Sequence, residues 1–254
     1  METSRLLECL SCDYTDLLSA ATSTDLSAPV PSCPDWTVAD LVTHVAEVYL
    51  HKTEAMRLLD WPDPWPPKGL EDEPPVPLLQ RAYRELTAEF AIRKADDPAK
   101  TWHEPDQTVR FWIRRMAQET VIHRIDGQLA AGSHVTPVPD DLAVDGVDEV
   151  LKLFLAYGAT SWPKEYAEAA SGHPETTSDK ESIVVQAGPT SWTVALTPRS
   201  VTVTEGAEGS ARALIAGDPE NVLRWLWGRG GEIGVRGDEE WADYLRRLLA
   251  ALTQ

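Results

Sequence analysis

The spacing of apolar residues changes once along this 254-residue chain, and that change limits the folds open to it. Before about residue 160, apolar side chains recur every three or four residues, which places them on one face of an α-helix. After residue 181 they fall in short runs rich in valine, threonine and isoleucine, separated by glycine and proline, as in antiparallel strands. The sequence therefore predicts an α+β protein of two domains, the first of them helical.

The first part of the chain contains four predicted amphipathic helices. The first covers residues 3–23, and the second begins after Thr37, which can form a capping box with Asp40. The third carries its apolar face from residue 78 to 90, and the fourth covers residues 108–132, with glycine at its end. Because each helix must bury one face, we expect a four-helix bundle.

A proline-rich segment separates the second and third helices. Residues 60–77, DWPDPWPPKGLEDEPPVP, contain seven prolines and two tryptophans and cannot form the interior of a helix. A loop of this length fits either a lid over a pocket or a surface connection whose tryptophans cover the bundle. The second interpretation is preferred.

The expected domains are a helical bundle at 1–160, a polar linker at 161–181 and an α+β domain at 182–254. A fifth helix, beginning at Asp140, is expected to be the last element of the first domain. The last domain has four predicted strands, SIVVQAG, SWTVALTP, SVTVTEG and ARALIAG, followed by helices at Pro219–Gly228 and Asp238–Leu252.

Composition excludes several classes of partner. With 41 acidic and 23 basic residues the net charge is -18, which argues against binding to nucleic acid or to an anionic membrane. No segment approaches the ~20 apolar residues of a membrane-spanning helix, and the first residues lack the features of a signal peptide. We expect a cytoplasmic protein, a monomer or weak dimer, that acts on a small anionic or electrophilic molecule. Its cysteines at 9, 12 and 33 are expected to be structural, including the C-x-x-C pair.

The fourth helix carries a carboxylate and an imidazole on its apolar face. Glu119 and His123 are four residues apart and share a stripe with Trp112, Met116 and Gly127. A buried carboxylate needs a cation, and a metal ion is a compact one. His44 lies at the margin of the apolar face of the second helix and can point inward. Together the three residues would give the histidine and carboxylate ligand set of a catalytic zinc.

Three segments resemble the mycothiol-dependent maleylpyruvate isomerase family. They are CPDWTVADLVTHVAE at the second helix, ETVIHRIDGQLAAG in the fourth and GDPENVLRWLWGR near the C-terminus, in matching order and spacing. The resemblance implies a DinB-like N-terminal bundle, a C-terminal domain similar to sterol carrier protein 2, and zinc ligands at His44, Glu119 and His123. It also implies mycothiol as the cofactor that supplies the reacting thiol.

The implied reaction is the cis–trans isomerisation of maleylpyruvate by addition and elimination of a thiolate that zinc activates. The expected catalytic residues are Arg229 and Arg236, because a guanidinium binds carboxylates bidentately; surface ion pairs are the alternative for both. Arg124 is expected to pair with Asp126 or with a carboxylate across the bundle. Two other functions stay open: a mycothiol S-transferase that conjugates electrophiles, and a non-catalytic small-molecule binding protein.

The other histidines are assigned by position. His51, one heptad after His44, is expected above the metal site. The remaining three lie in loop-like sequence and are expected in solvent: His103, His134 and His173.

Overall fold

The chain forms two compact units, Met1–Thr136 and Pro137–Gln254. The computed structural model describes residues 1–171, 174, 181–197, 200–207 and 209–253. The first unit is mainly helical and the second combines helices with a five-stranded sheet, so the predicted α+β class is confirmed. The boundary differs from the expected one at residue 160. The fifth helix belongs to the second unit, because its apolar face packs on a helix of that unit.

The four predicted helices of the first unit are present. They are α1 (Thr3–Ser23), α2 (Val38–Leu58), α3 (Pro75–Ile92) and α4 (Val109–Ala130). Helix α1 packs mainly against α4, α2 packs against α3, and α2 also meets α4. Helix α3 starts earlier than its apolar pattern suggested, because proline is well suited to the first helical position, where no N–H is needed.

A short hairpin leads into α2. Its strands are β1 (Pro29–Val30) and β2 (Cys33–Thr37), and it was not predicted from the sequence. The capping box is confirmed: the Thr37 hydroxyl accepts from the Asp40 amide, and the Asp40 carboxylate accepts from the Thr37 amide at 2.8 Å. These bonds fix the start of the helix that carries His44.

Helix α4 is buried along most of its length. Near its C-terminal end Gly127 faces α1 so closely that a Cβ atom there would lie 3.1 Å from Cδ1 of Leu17. Helix α4 ends at Ala130 and is followed by Gly132, whose positive φ of 61° turns the chain so that the Ser133 amide donates to the Gln128 carbonyl at 3.1 Å. Because α1 and α4 approach so closely, the polar side chains of α4 that face α1, such as Arg124, are buried.

The second unit begins with one long helical segment. It consists of α5 (Asp140–Glu149), a π-helical stretch (Val150–Tyr157) and α6 (Gly158–Ser161). Helix α7 (Pro163–Ala170) follows, within the segment expected to be a linker. The buried Tyr166 anchors it, since its hydroxyl donates to the Thr197 carbonyl at 2.7 Å. The linker prediction is thus wrong for residues 163–170, and most of 172–180 lies outside the described residues.

The sheet has the order β5-β4-β3-β6-β7. Its strands are β3 (Glu181–Ala187), β4 (Thr190–Thr197), β5 (Ser200–Glu205), β6 (Ala213–Gly217) and β7 (Gly234–Gly237). Neighbours are antiparallel except β3 and β6, which are parallel because the chain crosses from one side of the β3–β5 meander to the other. The expectation of antiparallel strands is therefore wrong for that pair, and β7 was not predicted.

Two helices complete the second unit. Helix α8 (Pro219–Leu226) packs on α5, and α9 (Glu239–Leu252) begins at Asp238, whose carboxylate accepts from the Glu240 amide at 3.0 Å. Both agree with the predicted positions. Among the described residues, no helix combines the length and apolar character needed to cross a membrane.

Candidate metal centre

The structure brings the three predicted metal ligands together between α2 and α4. Glu119 Oε1 lies 3.2 Å from His44 Nε2 and 3.2 Å from His123 Nε2. One donor atom from each residue lies within 4.8 Å of the others. A tetrahedral zinc with bonds of about 2.1 Å holds its ligand atoms about 3.4 Å apart. The spacing therefore fits a single divalent ion.

Arg115 fixes one oxygen of the Glu119 carboxylate. It lies one helical turn earlier on α4, is almost fully buried, and donates from Nη2 to Glu119 Oε2. This contact leaves Oε1 as the oxygen that faces both imidazoles. Burial would raise the pKa of Glu119, but His123, His44 and Arg115 hold it well below its usual value. Glu119 is therefore ionised and able to act as a ligand through one oxygen.

Asp126 orients the imidazole of His123. Its Oδ2 lies 2.9 Å from His123 Nδ1, and the carboxylate also accepts from the Ser32 hydroxyl. Burial by itself would lower the pKa of His123, but the carboxylates of Glu119 and Asp126 raise it to about 9. With Nδ1 donating to Asp126, Nε2 faces Glu119, as in carboxylate–histidine–zinc arrangements. A metal ion would replace the proton at Nε2.

His44 forms the open side of the centre. Its side chain is 37% exposed, whereas that of His123 is 9% exposed. The Trp36 ring, from β2, packs against the His44 imidazole with centroids 4.8 Å apart. Beyond His44 lies a pocket of about 160 Å³ lined by His44, Glu47, Val48, His51, Lys52 and Trp65. A three-ligand site that opens to a pocket has the form of a catalytic zinc site, which keeps one position for water or substrate.

The proline-rich loop contributes a wall of this pocket. Trp65 lines it and meets the His51 ring edge-on at 4.9 Å. Trp61 packs against His51 at 5.5 Å and against Trp112 of α4 at 6.5 Å. The tryptophans cover the bundle, as the preferred interpretation held, and one of them also borders the pocket. His51 lies in the pocket beside His44, as expected.

Arg124 points away from the metal ligands. Its Nε donates to Asp13 of α1 at 3.0 Å, and Nη1 donates to Gln128 at 3.0 Å. The guanidinium is completely buried. Of the two expected partners, the carboxylate across the bundle is the one observed, while Asp126 serves His123.

The two predicted catalytic arginines lie in the second unit. Arg229 follows α8, and its Nη1 donates to the Trp227 carbonyl at 2.6 Å. Arg236 is exposed on β7, an edge strand of the sheet, opposite Leu214 of β6. Their role toward a substrate stays a prediction.

The other histidines and the cysteines lie away from the three predicted ligands in sequence and differ in exposure. His134 is exposed, as expected. His103 is partly exposed and stacks on the Phe111 ring at 5.8 Å, so the expectation of a solvent position is met only in part. His173 lies outside the described residues. The three cysteines are free thiols, Cys9 buried, Cys12 exposed and Cys33 partly buried.

Sequence reasoning missed two residues that form hydrogen bonds to the predicted ligands. Arg115 is four residues before Glu119, and Asp126 is three residues after His123. Both spacings place side chains on the same helical face, so the helical pattern contained the signal. Trp36 gave no such signal, because its contact with His44 depends on the path of the hairpin.

Comparisons with known proteins agree with this architecture. Residues 7–128 match the family model described as mycothiol maleylpyruvate isomerase N-terminal domain, and residues 141–243 match the MDMPI C-terminal domain, the second domain of that family. A search of curated protein sequences finds no match.

Solved structures of one enzyme share the fold. A crystal structure of the mycothiol-dependent maleylpyruvate isomerase is 14% identical with a TM-score of 0.60, and covers 92% of this chain and 93% of its own. A histidine-to-alanine variant of that isomerase is 13% identical with a TM-score of 0.58 and the same coverage. Since the two domain models together span most of the sequence, the chain belongs to the mycothiol maleylpyruvate isomerase family.

Proposed function

We propose that this protein is a zinc- and mycothiol-dependent isomerase of the maleylpyruvate type. The observation that carries the proposal is the convergence of His44, Glu119 and His123 within 4.8 Å, in the unit that matches the family's N-terminal domain. A salt bridge without metal explains this cluster less well. An ordinary ion pair needs one histidine, whereas here two imidazoles face the same carboxylate oxygen.

The three ligands have separate tasks. His123 and Glu119 are held in place by Asp126 and Arg115, so the buried half of the site is pre-organised before an ion binds. His44 completes the set from a different helix and borders the pocket. When bound, zinc would lower the pKa of a coordinated thiol so that thiolate is present at neutral pH.

The reaction class is cis–trans isomerisation through a thioether adduct. A thiolate forms a C–S bond to the cis double bond, and its electron pair moves into the conjugated ketone as an enolate. Rotation about the new single bond and loss of the same thiolate give the trans isomer. The thiol is recovered and no oxidant or reductant is needed. The task left to the protein is to hold the carboxylates, for which Arg229 and Arg236 are the candidates in the second unit.

The first test is metal content followed by product analysis. We expect the purified protein to bind about one equivalent of zinc per chain. With mycothiol and maleylpyruvate, we expect loss of the cis substrate by absorbance and an unchanged mass for the product. A retained thiol adduct would instead identify a mycothiol S-transferase. Failure to bind zinc or a similar ion at micromolar concentration would contradict an enzymatic role and favour a non-catalytic binding protein.

A further inference from the structure

The pocket beside His44 contains a lysine in an aromatic surrounding. Lys52 lies on α2, and its Nζ is 5.1 Å from the centre of the Trp112 ring and 6.0 Å from that of Trp61. Lys52 also lines the pocket together with His44, His51 and Trp65. A cation over tryptophan faces is attracted by the rings, which keeps the ammonium at the pocket wall.

Burial lowers the pKa of Lys52 to about 8, although the charge of Glu119 opposes this shift, so Lys52 is mainly an ammonium group at pH 7. Lys52 Nζ lies 3.1 Å from His51 Nδ1, and an ammonium group only donates hydrogen bonds. Burial and the neighbouring Lys52 lower the pKa of His51 to about 4, so its imidazole is neutral at pH 7. Nδ1 must then accept from Lys52, and the ring proton resides on Nε2. His51, whose side chain lines the same pocket, therefore has one hydrogen-bond donor to offer, at Nε2.

Lys52 has no carboxylate in ion-pair contact within the part of the chain that the structure describes. Several arginines of the first unit do have such partners, namely Arg57, Arg81, Arg93, Arg110 and Arg124. Glu47 borders the same pocket without pairing with Lys52. Lys52 is thus a partly buried cation in a pocket with no carboxylate in direct contact to neutralise it, and such a group is able to bind an anion.

The pocket sets the size and shape of that anion. Its volume of about 160 Å³ is below the 300–1,000 Å³ typical of sites for drug-sized ligands. The indole of Trp65 offers a flat apolar surface, and His44 connects the pocket to the metal ligands. These features suit a small planar carboxylate whose unsaturated carbon chain lies near the metal centre.

Building on the proposed function, we propose that Lys52 binds one carboxylate of the substrate, with the Nε2–H of His51 as the second donor. This assigns a substrate-binding residue to the helical unit itself, in addition to the arginines of the second unit. It also makes Lys52 a determinant of specificity, favouring unsaturated carboxylates over neutral electrophiles.

The test measures binding of maleate, a small unsaturated dicarboxylate, to the zinc-loaded full-length protein by calorimetry. Lys52→Met removes the charge and keeps an apolar stem against the tryptophans, so maleate should bind at least about tenfold more weakly. Lys52→Arg should retain most of the affinity. The matched control is Lys68→Met, which removes an exposed lysine of the proline-rich loop and should bind maleate like the wild type.

Two further measurements separate the possible failures. Zinc content should be unchanged in Lys52→Met, so a loss of maleate binding together with zinc would contradict a direct role for Lys52. Glu47→Gln should bind maleate more tightly, because a negative charge in the pocket is removed; weaker binding would contradict an anion site. If Lys52→Met binds maleate as the wild type does, the inference fails, while zinc binding and thiol-dependent turnover of the wild type would still support the proposed function.

Discussion

Helix α4 carries two clusters of buried charged side chains, one around Glu119 and one around Arg124. In the first, two imidazoles and the Arg115 guanidinium surround one carboxylate and hold its pKa well below the usual value. In the second, Arg124 is the main cation near Asp13, and burial of that carboxylate raises its pKa to about 6. Burial acts in the same direction on both acids, so the number of cationic neighbours decides the outcome.

The two clusters also differ in what they can bind. An imidazole can exchange its proton for a metal ion, whereas a guanidinium stays protonated and has no lone pair to offer. The Glu119 cluster opens at His44 to a pocket, while Arg124 is completely enclosed. The first cluster therefore has the donor groups and the access that the proposed metal site needs, whereas the second joins α1 to α4.

Loss of His44 should give the largest effect, and it tests the Glu119 cluster, which opens to the pocket. We expect His44→Ala to lower isomerase activity by more than the roughly 10–100-fold that loss of a second-sphere partner costs, because a direct ligand is removed. Zinc content and turnover with mycothiol should fall together, with an unchanged circular dichroism spectrum. His134→Ala, at an exposed histidine, is the control and should keep both. Full zinc occupancy in His44→Ala would contradict the ligand assignment.

Substitution of Arg124 tests whether the enclosed Arg124 cluster stabilises the fold. Arg124→Met leaves Asp13 buried without its cation and should lower the free energy of unfolding by about 3–5 kcal/mol. Urea denaturation at pH 7.5 measures this effect. Arg110→Met, which breaks an exposed pair with Asp96, should unfold like the wild type. The double variant Asp13→Asn/Arg124→Met should recover part of the loss, and equal instability of the single and double variants would speak against the pairing as its cause.

Asp126 acts on the Glu119 cluster indirectly, through its hydrogen bond to His123, so its loss should have a smaller effect than the loss of His44. Asp126→Asn should weaken zinc binding by about 10–100-fold, since the acceptor that holds the tautomer of His123 is replaced. Competition with a chelator gives the affinity. Asp35→Asn, at an exposed position of the same hairpin region, should not change it. Unchanged zinc affinity in Asp126→Asn would mean that the hydrogen bond at His123 Nδ1 does not support the site.

The smallest expected effect is the pH dependence of stability that Asp13 contributes. Because the folded-state pKa is raised to about 6, the folded protein takes up a proton there before the unfolded chain does. The wild type should therefore gain about 1 kcal/mol relative to Asp13→Asn between pH 7.5 and pH 5. Unfolding of both proteins at the two pH values measures the difference. If the difference in the free energy of unfolding between the wild type and Asp13→Asn shrank or stayed constant on acidification, the pKa of Asp13 would not be raised, and Arg124 would be lowering it instead.

Much of the helical unit follows from local sequence. The capping box at Thr37, the apolar faces of the four helices and the spacing of Glu119 and His123 are short-range patterns that survive packing. The meeting of His44 with those two residues follows less directly, because it depends on the crossing of α2 and α4. The resemblance to the family indicated His44 as the third ligand more strongly than the spacing of apolar residues did.

The errors arise where packing overrides composition. The polar sequence around Tyr166 suggested a linker, but that one aromatic side chain anchors α7 in the second unit. The fifth helix follows the bundle in sequence yet packs against α8, and no local sequence pattern predicts this contact. Lys52 was not recognised at all, because its neighbours Trp61 and Trp112 come from distant segments.

The contact between Arg115 and Glu119 has a consequence for the charge balance of the proposed metal centre. A divalent ion with one carboxylate and two neutral imidazoles has one positive charge left over, and the charges of Arg115 and Asp126 cancel. One thiolate would bring the buried group to neutrality, the state that low-dielectric surroundings favour. A second anion bound at the ion would leave an excess negative charge. The carboxylates of a substrate are then better placed on cations outside the centre, as Lys52 is.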